Sequence, residues 1–304
     1  MSTMLQPAVD LMRSSISRAF HEAELRSLAE QFVEYKQTEG SSFGQLAALH
    51  CAMFGGDEQR ATAAAAAIDL MILSLDIYDD LQDQDNDSVP WSKVPPALAL
   101  NVAIGLQALS IDVLMKLPSP IDRKAAAVQA LNQGILGAVN GQHVDILNHL
   151  LTEEESLQMI ADKAGSLIAA SCLVGIALVT DEHHDIVEQY GRAIGVSAQL
   201  YNDVKGITSW STRNDLLARK LTLPVQFLLE QQSEEAAIVR KYYDGEITAA
   251  QLLEHKIAIM DYIHGCGCVE YGLVLGKMKQ YEAEESIALL PVEETWREQL
   301  RSFV

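Results

Sequence analysis

The sequence is poor in basic residues, and this shortage excludes several classes of binding protein. It contains 22 Lys and Arg against 42 Asp and Glu, which gives a formal net charge of −20. Non-specific binding to nucleic acid or to an anionic membrane face needs a basic surface, so we expect neither partner. An anionic ligand remains compatible with this charge only if metal ions or a local cluster of Lys and Arg neutralise it.

Cysteine and long apolar runs are also scarce. Cys51 and Cys172 lie in apolar helical segments, and Cys266 and Cys268 form a C-x-C pair without a second pair, so we expect no zinc site and no disulfide framework. A reducing cytosol fits this cysteine usage. The N-terminal residues lack the pattern of a signal peptide, and the longest apolar stretch, residues 166–179, is too short to span a bilayer. We therefore predict a cytoplasmic protein without a membrane span.

Helical periodicity dominates what is present. Ala, Leu, Glu and Gln recur at three- and four-residue intervals, and no alternating strand is evident, so the predicted fold class is all-α. No linker rich in Gly, Ser or Pro divides the chain, which predicts one domain over residues 1–304. Capping boxes are predicted at Thr152 and Thr248. The predicted helices cover residues 5–19, 22–37, 43–54, 57–84, 96–116, 121–149, 153–178, 183–204, 222–231, 234–243, 248–262 and 267–286.

The most informative segment is an acidic helix end. Four aspartates recur at i, i+3, i+4 and i+7 after a hydrophobic run, so they share one helical face: Asp76, Asp79, Asp80 and Asp83. Stacked carboxylates repel one another, and the C-terminus of a helix disfavours anions further. Cations must therefore neutralise the cluster, and Mg²⁺, which combines a few carboxylates with phosphate oxygens, suits it well.

Two other interpretations of this segment were considered. A solvated acidic helix end is the plain one, and it stays open on the pattern alone. A calcium-binding loop starting at Asp83 is rejected, because the required Gly and Glu positions hold Ser88 and Val94.

A second polar cluster lies about 120 residues further along, with the same helical spacing: Gln199, Asn202, Asp203 and Gly206. By itself an Asn-Asp pair near a helix end is typical of a cap or a turn. Between the two clusters lie residues 141–145 and 162–166, both on long predicted helices.

Together these segments resemble the trans-isoprenyl diphosphate synthase (polyprenyl synthetase) superfamily. Five elements occur in the family's order, although Lys163 is followed by Ala-Gly where the family has Thr-Ala. They are the DDxxD motif at residues 79–83, a G-Q-x-x-D helix with Gln142 and Asp145, the lysine Lys163, a helix over residues 190–203 and a stretch at 215–224 containing Lys220.

The resemblance implies an all-α bundle around a central cavity. Two facing aspartate motifs would hold two or three Mg²⁺ ions on an allylic prenyl diphosphate, and lysines would help to stabilise the departing pyrophosphate. It also implies a homodimer.

Departures from the family pattern narrow the expected function. Chain-elongating members carry a basic G-G-K-R-x-R-P segment for a second diphosphate, but residues 38–45 contain no Lys or Arg. The Arg-Arg pair that follows DDxxD is also absent, and the second motif reads Asn202-Asp203-Val204-Lys205-Gly206. Lys205 would then replace a metal charge, or the second metal cluster would be weaker.

A branch that shares these losses is the ComQ-type isoprenyltransferases, which attach a geranyl or farnesyl group to a tryptophan of a competence-pheromone precursor. Residues 49–56, 76–86, 141–145 and 163–169 resemble that branch. The leading hypothesis is therefore prenyl transfer from an allylic diphosphate to a small precursor peptide. Chain elongation with isopentenyl diphosphate, a terpene cyclase or hydrolase, and a non-catalytic synthase subunit remain alternatives.

The resemblance assigns the candidate site residues as follows. Asp79, Asp80, Asp83 and Asp203 are the catalytic candidates, and the metal candidates are Asp79, Asp83, Asn202 and Asp203. Diphosphate contacts are expected from Gln142, Lys163, Gln199, Lys205 and Lys220. Ser74 and Leu75, with Met71, are expected to face the prenyl tail.

Overall fold

Helices form the framework of the computed structural model, which describes residues 2–83, 86–210 and 214–304, with side chains from Gln6 onward. No β-strand occurs in these ranges, so the predicted all-α class is confirmed. Gln84 and Asp85 of the acidic segment, and residues 211–213 of the predicted break after the second cluster, lie outside them. The α-helices are α1 Ser2–Ala19, α2 Ala23–Glu39, α3 Ser42–Met53, α4 Glu58–Asp83, α5 Pro96–Lys116, α6 Ile121–Leu147, α7 Glu153–Ile160, α8 Ser166–Ala177, α9 His184–Thr208, α10 Leu223–Glu230, α11 Glu234–Tyr243, α12 Ala249–Glu254, α13 Lys256–Ile263, α14 Cys268–Ala288 and α15 Glu294–Arg301.

Helix α4 is at the centre of the bundle. Its run of five alanines, residues 63–67, and the apolar residues that follow are buried on every side. Small side chains let neighbouring helices approach closely, and α1, α3, α5 and α8 all pack against α4. An all-round apolar helix must be buried in this way, as the sequence predicts.

Helices α8 and α9 extend the core away from α4. Nearly every residue of α8 is buried between α3, α6 and α9, and α14 packs along the other side of α9. This arrangement brings the C-terminal ends of α4, α6 and α9 to the same end of the bundle, where the acidic segments lie.

Local signals define most helix ends. Both predicted capping boxes are confirmed. The hydroxyl oxygens of Thr152 and Thr248 each accept from the backbone N–H three residues further on, and the side chain of that residue accepts from the backbone N–H of the threonine. The predicted helix over 153–178 is interrupted by a π-helical turn, Ala161–Gly165, between α7 and α8. The predicted helix over 248–262 is divided at His255 into α12 and α13, and α15 was not predicted.

Three helical segments, 58–83, 96–116 and 153–177, are long and apolar enough to cross a membrane by length and composition. The sequence prediction of no membrane span considered only uninterrupted apolar runs, and polar residues interrupt each of these three segments. Within the protein, 78% and 61% of the apolar windows of the first and third are buried, against 44% for the second, α5. Helix α5 therefore leaves apolar surface uncovered.

Candidate active site

Two joined cavities lie where α4, α6 and α9 end, beside the π-helical turn. One is polar, with a volume of about 500 Å³, and the other is largely apolar, with a volume of about 470 Å³. Their shared wall consists of Asp79, Lys163, Gln199 and Asn202. An elongated ligand with a polar head and an apolar tail could therefore occupy both.

The polar cavity gathers nine of the residues that the sequence singled out. They are Asp79, Asp80, Asp83, Lys163, Gln199, Asn202, Asp203, Lys205 and Lys220. The chain folds them into one place because α4 and α9 present their acidic faces to each other across the cavity. Of the remaining candidates, Gln142 and Leu75 line the apolar cavity, whereas Ser74 and Met71 are buried behind it.

Two of the α4 aspartates that line this cavity, Asp79 and Asp83, each have a lysine beside them. Lys163 lies 3.5 Å from Asp79 Oδ1 and donates to Asp145 Oδ2 at 2.5 Å. Lys220 donates to Asp83 Oδ2 at 2.9 Å. Burial raises the pKa of Asp79, while Lys163 acts against that rise. Lys163 and Lys220 thus partly neutralise the α4 aspartates, for which the sequence predicts nearby cations.

The other two aspartates of the α4 row line the cavities as well, but their partners are on α2 and on the segment that follows α4. Lys36 of α2 contacts Asp76 Oδ2 at 2.7 Å. The indole N–H of Trp91 donates to Asp80 Oδ2 at 2.7 Å, and Trp91 itself is buried in edge-to-face contact with Phe32. The four acids of one helical face therefore meet different partners, and Asp76 and Asp80 have contacts that help to hold α4 in place.

The π-helical turn positions Lys163. A π turn widens the helix locally and is often found at functional sites. A Cβ at Gly141 of α6 would lie 2.7 Å from the Cα of Lys163, so glycine allows the turn to approach α6. Although burial alone would lower the pKa of Lys163, the neighbouring Asp79 and Asp145 raise it. Lys163 therefore stays a cation at the junction of the two cavities.

Lys220 lies on a loop that two asparagines fix in place. Asn148, the left-handed residue that ends α6, donates to the carbonyl of Arg219 at 2.8 Å and accepts from Leu221 N–H at 3.0 Å. Asn214 is buried and donates to the carbonyls of Gly206 and Ser209. These bonds connect the loop to the ends of α6 and α9 and hold Lys220 against α4.

The second row, on α9, has a different environment. Asp203 is only 6% exposed and accepts a hydrogen bond of 2.8 Å from the Gln199 side chain. Burial raises the pKa of Asp203 to about 7, against the opposing effect of that hydrogen bond. Asn202 and Lys205 are exposed at the cavity rim. Gly206 gives room to Asp215, because a Cβ there would lie within 2.7 Å of the Asp215 carboxylate.

The apolar cavity extends from the shared wall between α4, α6, α8 and α9. Leu75 and Gln142 line it, together with aliphatic and aromatic groups. Ser74 does not line it, because Ser74 is 0% exposed and its hydroxyl donates to the carbonyl of Met71. Met71 is also fully buried, so neither residue faces the cavity as predicted. The other apolar or small lining residues are Phe43, Tyr78, Ala138, Val139, Ile146, Ala164, Leu167, Ile168, Gly195 and Ala198.

The donor set suits Mg²⁺ bound together with a diphosphate. Within the described ranges no three His, Cys, Asp or Glu side chains form a ready metal cluster. Mg²⁺ does not need one, since it uses one or two carboxylates, waters and substrate phosphate oxygens. The carboxylates of Asp79 and Asp83 face the cavity, and the amide oxygen of Gln142 is buried without a hydrogen-bond partner among the described residues.

Comparisons with known proteins settle the family. The family model for polyprenyl synthetase matches residues 26–260. The chain belongs to the polyprenyl synthetase family. It is similar to the tryptophan prenyltransferase ComQ of Bacillus spizizenii, with 29% identity over 92% of this chain and 99% of the relative. The ComQ of Bacillus subtilis strain 168 is 34% identical over 81% of this chain and 77% of the relative.

The structure agrees with this assignment. A geranylgeranyl pyrophosphate synthase from Corynebacterium glutamicum, solved with isoprenyl diphosphate and magnesium, superposes with a TM-score of 0.80 at 16% identity, over 98% of this chain and 97% of that one. At this identity the likeness concerns the fold. As a polyprenyl synthetase family member, the chain is a prenyltransferase, an enzyme that transfers alkyl groups other than methyl.

Several residues of the site were missed from the sequence. Asp145, noted only as part of a motif, is a partner of Lys163, while Lys36, Trp91 and Asn148 hold the acidic helices and the Lys220 loop. Lys36 and Trp91 belong to no motif, and only the fold brings them to α4. The Asn at the end of α6 could have been found, because Asn commonly takes the left-handed conformation that ends a helix.

Proposed function

We propose that this protein transfers a prenyl group from an allylic diphosphate to a tryptophan of a small precursor peptide, with Mg²⁺ as cofactor. The observation that carries the proposal is the pair of joined cavities, one lined by facing acids and lysines and the other by apolar groups. The similarity to the ComQ tryptophan prenyltransferases supports the choice of acceptor.

The polar cavity is suited to the diphosphate of the donor. Mg²⁺ held by Asp79 and Asp83, with Asn202 and Asp203 on the opposite helix, would supply positive charge to the phosphate oxygens. Lys163 and Lys220 would turn from their aspartates toward the diphosphate as it gains charge, and Gln199 and Lys205 line the same space. Asp80 supports the row through its bond to Trp91. Compensating the negative charge of the leaving group in this way lowers the barrier to breaking the allylic C–O bond.

The apolar cavity is suited to the prenyl tail and to the reacting carbon. Leu75 and the aliphatic groups of α6 and α8 line the space beyond the shared wall. An allylic cation formed there is shielded from water, and the electron-rich ring of an indole can capture it. The C–O bond to diphosphate breaks, a C–C bond to the indole forms, and the proton released by the ring leaves with the diphosphate or solvent.

The decisive experiment is mass spectrometry of the products from geranyl, farnesyl and geranylgeranyl diphosphates with Mg²⁺. Each donor is incubated with a tryptophan peptide, with isopentenyl diphosphate, or with neither. We expect a prenylated peptide and no extended diphosphate. Extended products would instead show a chain-elongating synthase, and products formed without acceptor would show a cyclase or hydrolase.

We further propose that residues 1–304 act as one domain, that two copies form a homodimer in the cytoplasm, and that α5 and α6 supply the interface. These helices pack on each other and expose large apolar side chains, including Ile104 and Val139, each 54% exposed. Such faces mark protein interfaces. Light scattering should give twice the mass of the 33.3 kDa chain, and Ile104→Asp should shift it toward the monomer.

A further inference from the structure

Lys36 lies just behind the apolar cavity and is neutralised by two carboxylates. Its ammonium contacts Asp76 Oδ2 at 2.7 Å and Glu39 Oε2 at 2.8 Å. Asp76 lines the cavity one helical turn before Asp79. Burial alone would lower the pKa of Lys36, but the two carboxylates raise it, so the group stays charged.

The charge that lines the apolar cavity is therefore negative or balanced. Among the described lining residues, the Asp and Glu are Asp76 and Asp79, and the one Lys or Arg is Lys163. Lys163 is itself shared between Asp79 and Asp145. A second diphosphate at this place would meet no uncommitted lysine or arginine among these lining residues, and like-charge contacts disfavour it.

The neighbouring backbone strengthens this arrangement. Buried Asp69 accepts hydrogen bonds from Ser41 Oγ at 2.5 Å, directly before α3, and from Gly44 N–H at 3.1 Å, in the first turn of α3. Burial raises the pKa of Asp69 to about 6. These two donors at the start of α3, which could otherwise have served an anion, are occupied by a carboxylate of α4.

We propose that Asp76 and Glu39 determine acceptor specificity by binding Lys36, so that the cavity admits an uncharged or positively charged acceptor and rejects a diphosphate. This inference rests on the proposed function, because it assumes that the donor diphosphate occupies the polar cavity. The rejection of a diphosphate acceptor would then depend on Lys36, Glu39 and Asp76, in addition to the lack of basic residues in the segment 38–45.

The test measures binding of isopentenyl diphosphate by calorimetry. The polar cavity is first filled with Mg²⁺ and an unreactive thiolo analogue of geranyl diphosphate. We expect only weak binding to the natural chain. Glu39→Gln combined with Asp76→Asn frees Lys36, and one uncovered charge–phosphate contact should tighten binding by about tenfold or more.

Two further variants separate specificity from a merely structural ion pair. Adding Lys36→Met to the double variant should abolish the gained affinity. Glu39→Gln alone removes an exposed carboxylate and should keep the fold while giving a smaller gain, whereas Glu34→Gln, exposed on the same helix, should give none. Thermal melting of every variant verifies folding.

The inference is overturned if the natural chain binds isopentenyl diphosphate as tightly as the double variant, if no variant gains affinity, or if the gain survives Lys36→Met. Release of pyrophosphate from geranyl diphosphate by the natural chain in the presence of the tryptophan peptide, measured in parallel, keeps the outcomes separate. Absence of that release contradicts the proposed function, whereas release without the gain contradicts only the role of Asp76 and Glu39.

Discussion

The two acidic helix ends share one spacing yet differ in electrostatic state. On α4, Asp79 and Asp83 have Lys163 and Lys220 beside them. On α9, Asp203 is buried against an amide, and its pKa is raised to about 7. The first row is thus matched by protein cations, whereas burial favours the neutral form of Asp203 in the second row.

This difference shows that helical spacing alone does not decide the chemistry of a carboxylate row. Periodicity places the acids on one face, but the elements packed opposite decide whether they meet lysine, indole, amide or solvent. We propose that metal and phosphate take the place of the lysines beside the α4 row when the donor diphosphate binds. The α9 row should engage only when the ligand is bound.

The largest expected effect comes from removing the central carboxylate of the α4 row. Asp79→Asn should lower kcat for prenyl transfer by about 10²–10³-fold, because it removes a ligand of the Mg²⁺ that would stabilise the negative charge on the departing pyrophosphate. Steady-state pyrophosphate release measures this. Asp122→Asn, an exposed acid on α6, serves as the control, and equal activity of both variants would remove Asp79 from the mechanism.

The α9 row gives a pH signature in the metal-free protein. Because the folded pKa of Asp203 is raised from 3.8 to about 7, its contribution to stability is present below pH 4 and is lost as the pH rises toward 7. The unfolding free energy of the natural chain minus that of Asp203→Asn should therefore fall across this window. The expected fall is a few kcal/mol, at about 1.4 kcal/mol per pKa unit.

Urea unfolding at a series of pH values, with a chelator present, measures this difference. Taking the difference between two chains removes the contributions of Asp69, Asp76 and Asp79, whose pKa values are also raised. A difference that stays constant from pH 4 to pH 8 would show that Asp203 is not held neutral.

The close approach of α6 to the π-helical turn should be sensitive to a single methyl group. Gly141→Ala places a Cβ against the backbone of Lys163, and overpacking of this kind destabilises a fold by about 1–3 kcal/mol. We also expect reduced affinity for the donor, since Lys163 must shift. Gly265→Ala, whose nearest contact would be 3.5 Å, is the matched control for thermal melting. If both variants had the same melting temperature, the turn would have more room than the structure shows.

The smallest effect is expected for Lys205, which is exposed at the rim of the polar cavity. Exposed charges contribute about 0.2–1 kcal/mol, so Lys205→Ala should raise KM for the donor by roughly two- to fivefold. A loss as large as that of Asp79→Asn would indicate that Lys205 takes the place of a metal charge in the α9 row.

Much of this site follows from periodicity. The i, i+3, i+4, i+7 spacing of both rows predicted that each would share a face, and the resemblance to the polyprenyl synthetases added Lys163 and Lys220 to them. Rotation about α4 explains the exception: at about 100° per residue, Leu75 precedes Asp79 by four positions and shares its face, whereas Ser74 is five positions away and turns into the core.

Contacts between distant segments could not be predicted in this way. Lys36 and Asp76 are 40 positions apart on different helices, and Trp91 follows the acidic segment without a motif of its own. The π turn also gives no clear signal, because its residues continue a helical pattern on both sides. Such features depend on packing, which periodicity does not encode.

The most direct test of the two facing rows is a crystal structure with Mn²⁺ and an unreactive thiolo analogue of geranyl diphosphate. Anomalous scattering should place metal ions about 2.0–2.4 Å from carboxylate oxygens of Asp79 and Asp83, with the diphosphate between α4 and α9 and the geranyl tail along Leu75. A diphosphate bound elsewhere, with no metal contacting Asp79, would contradict the account.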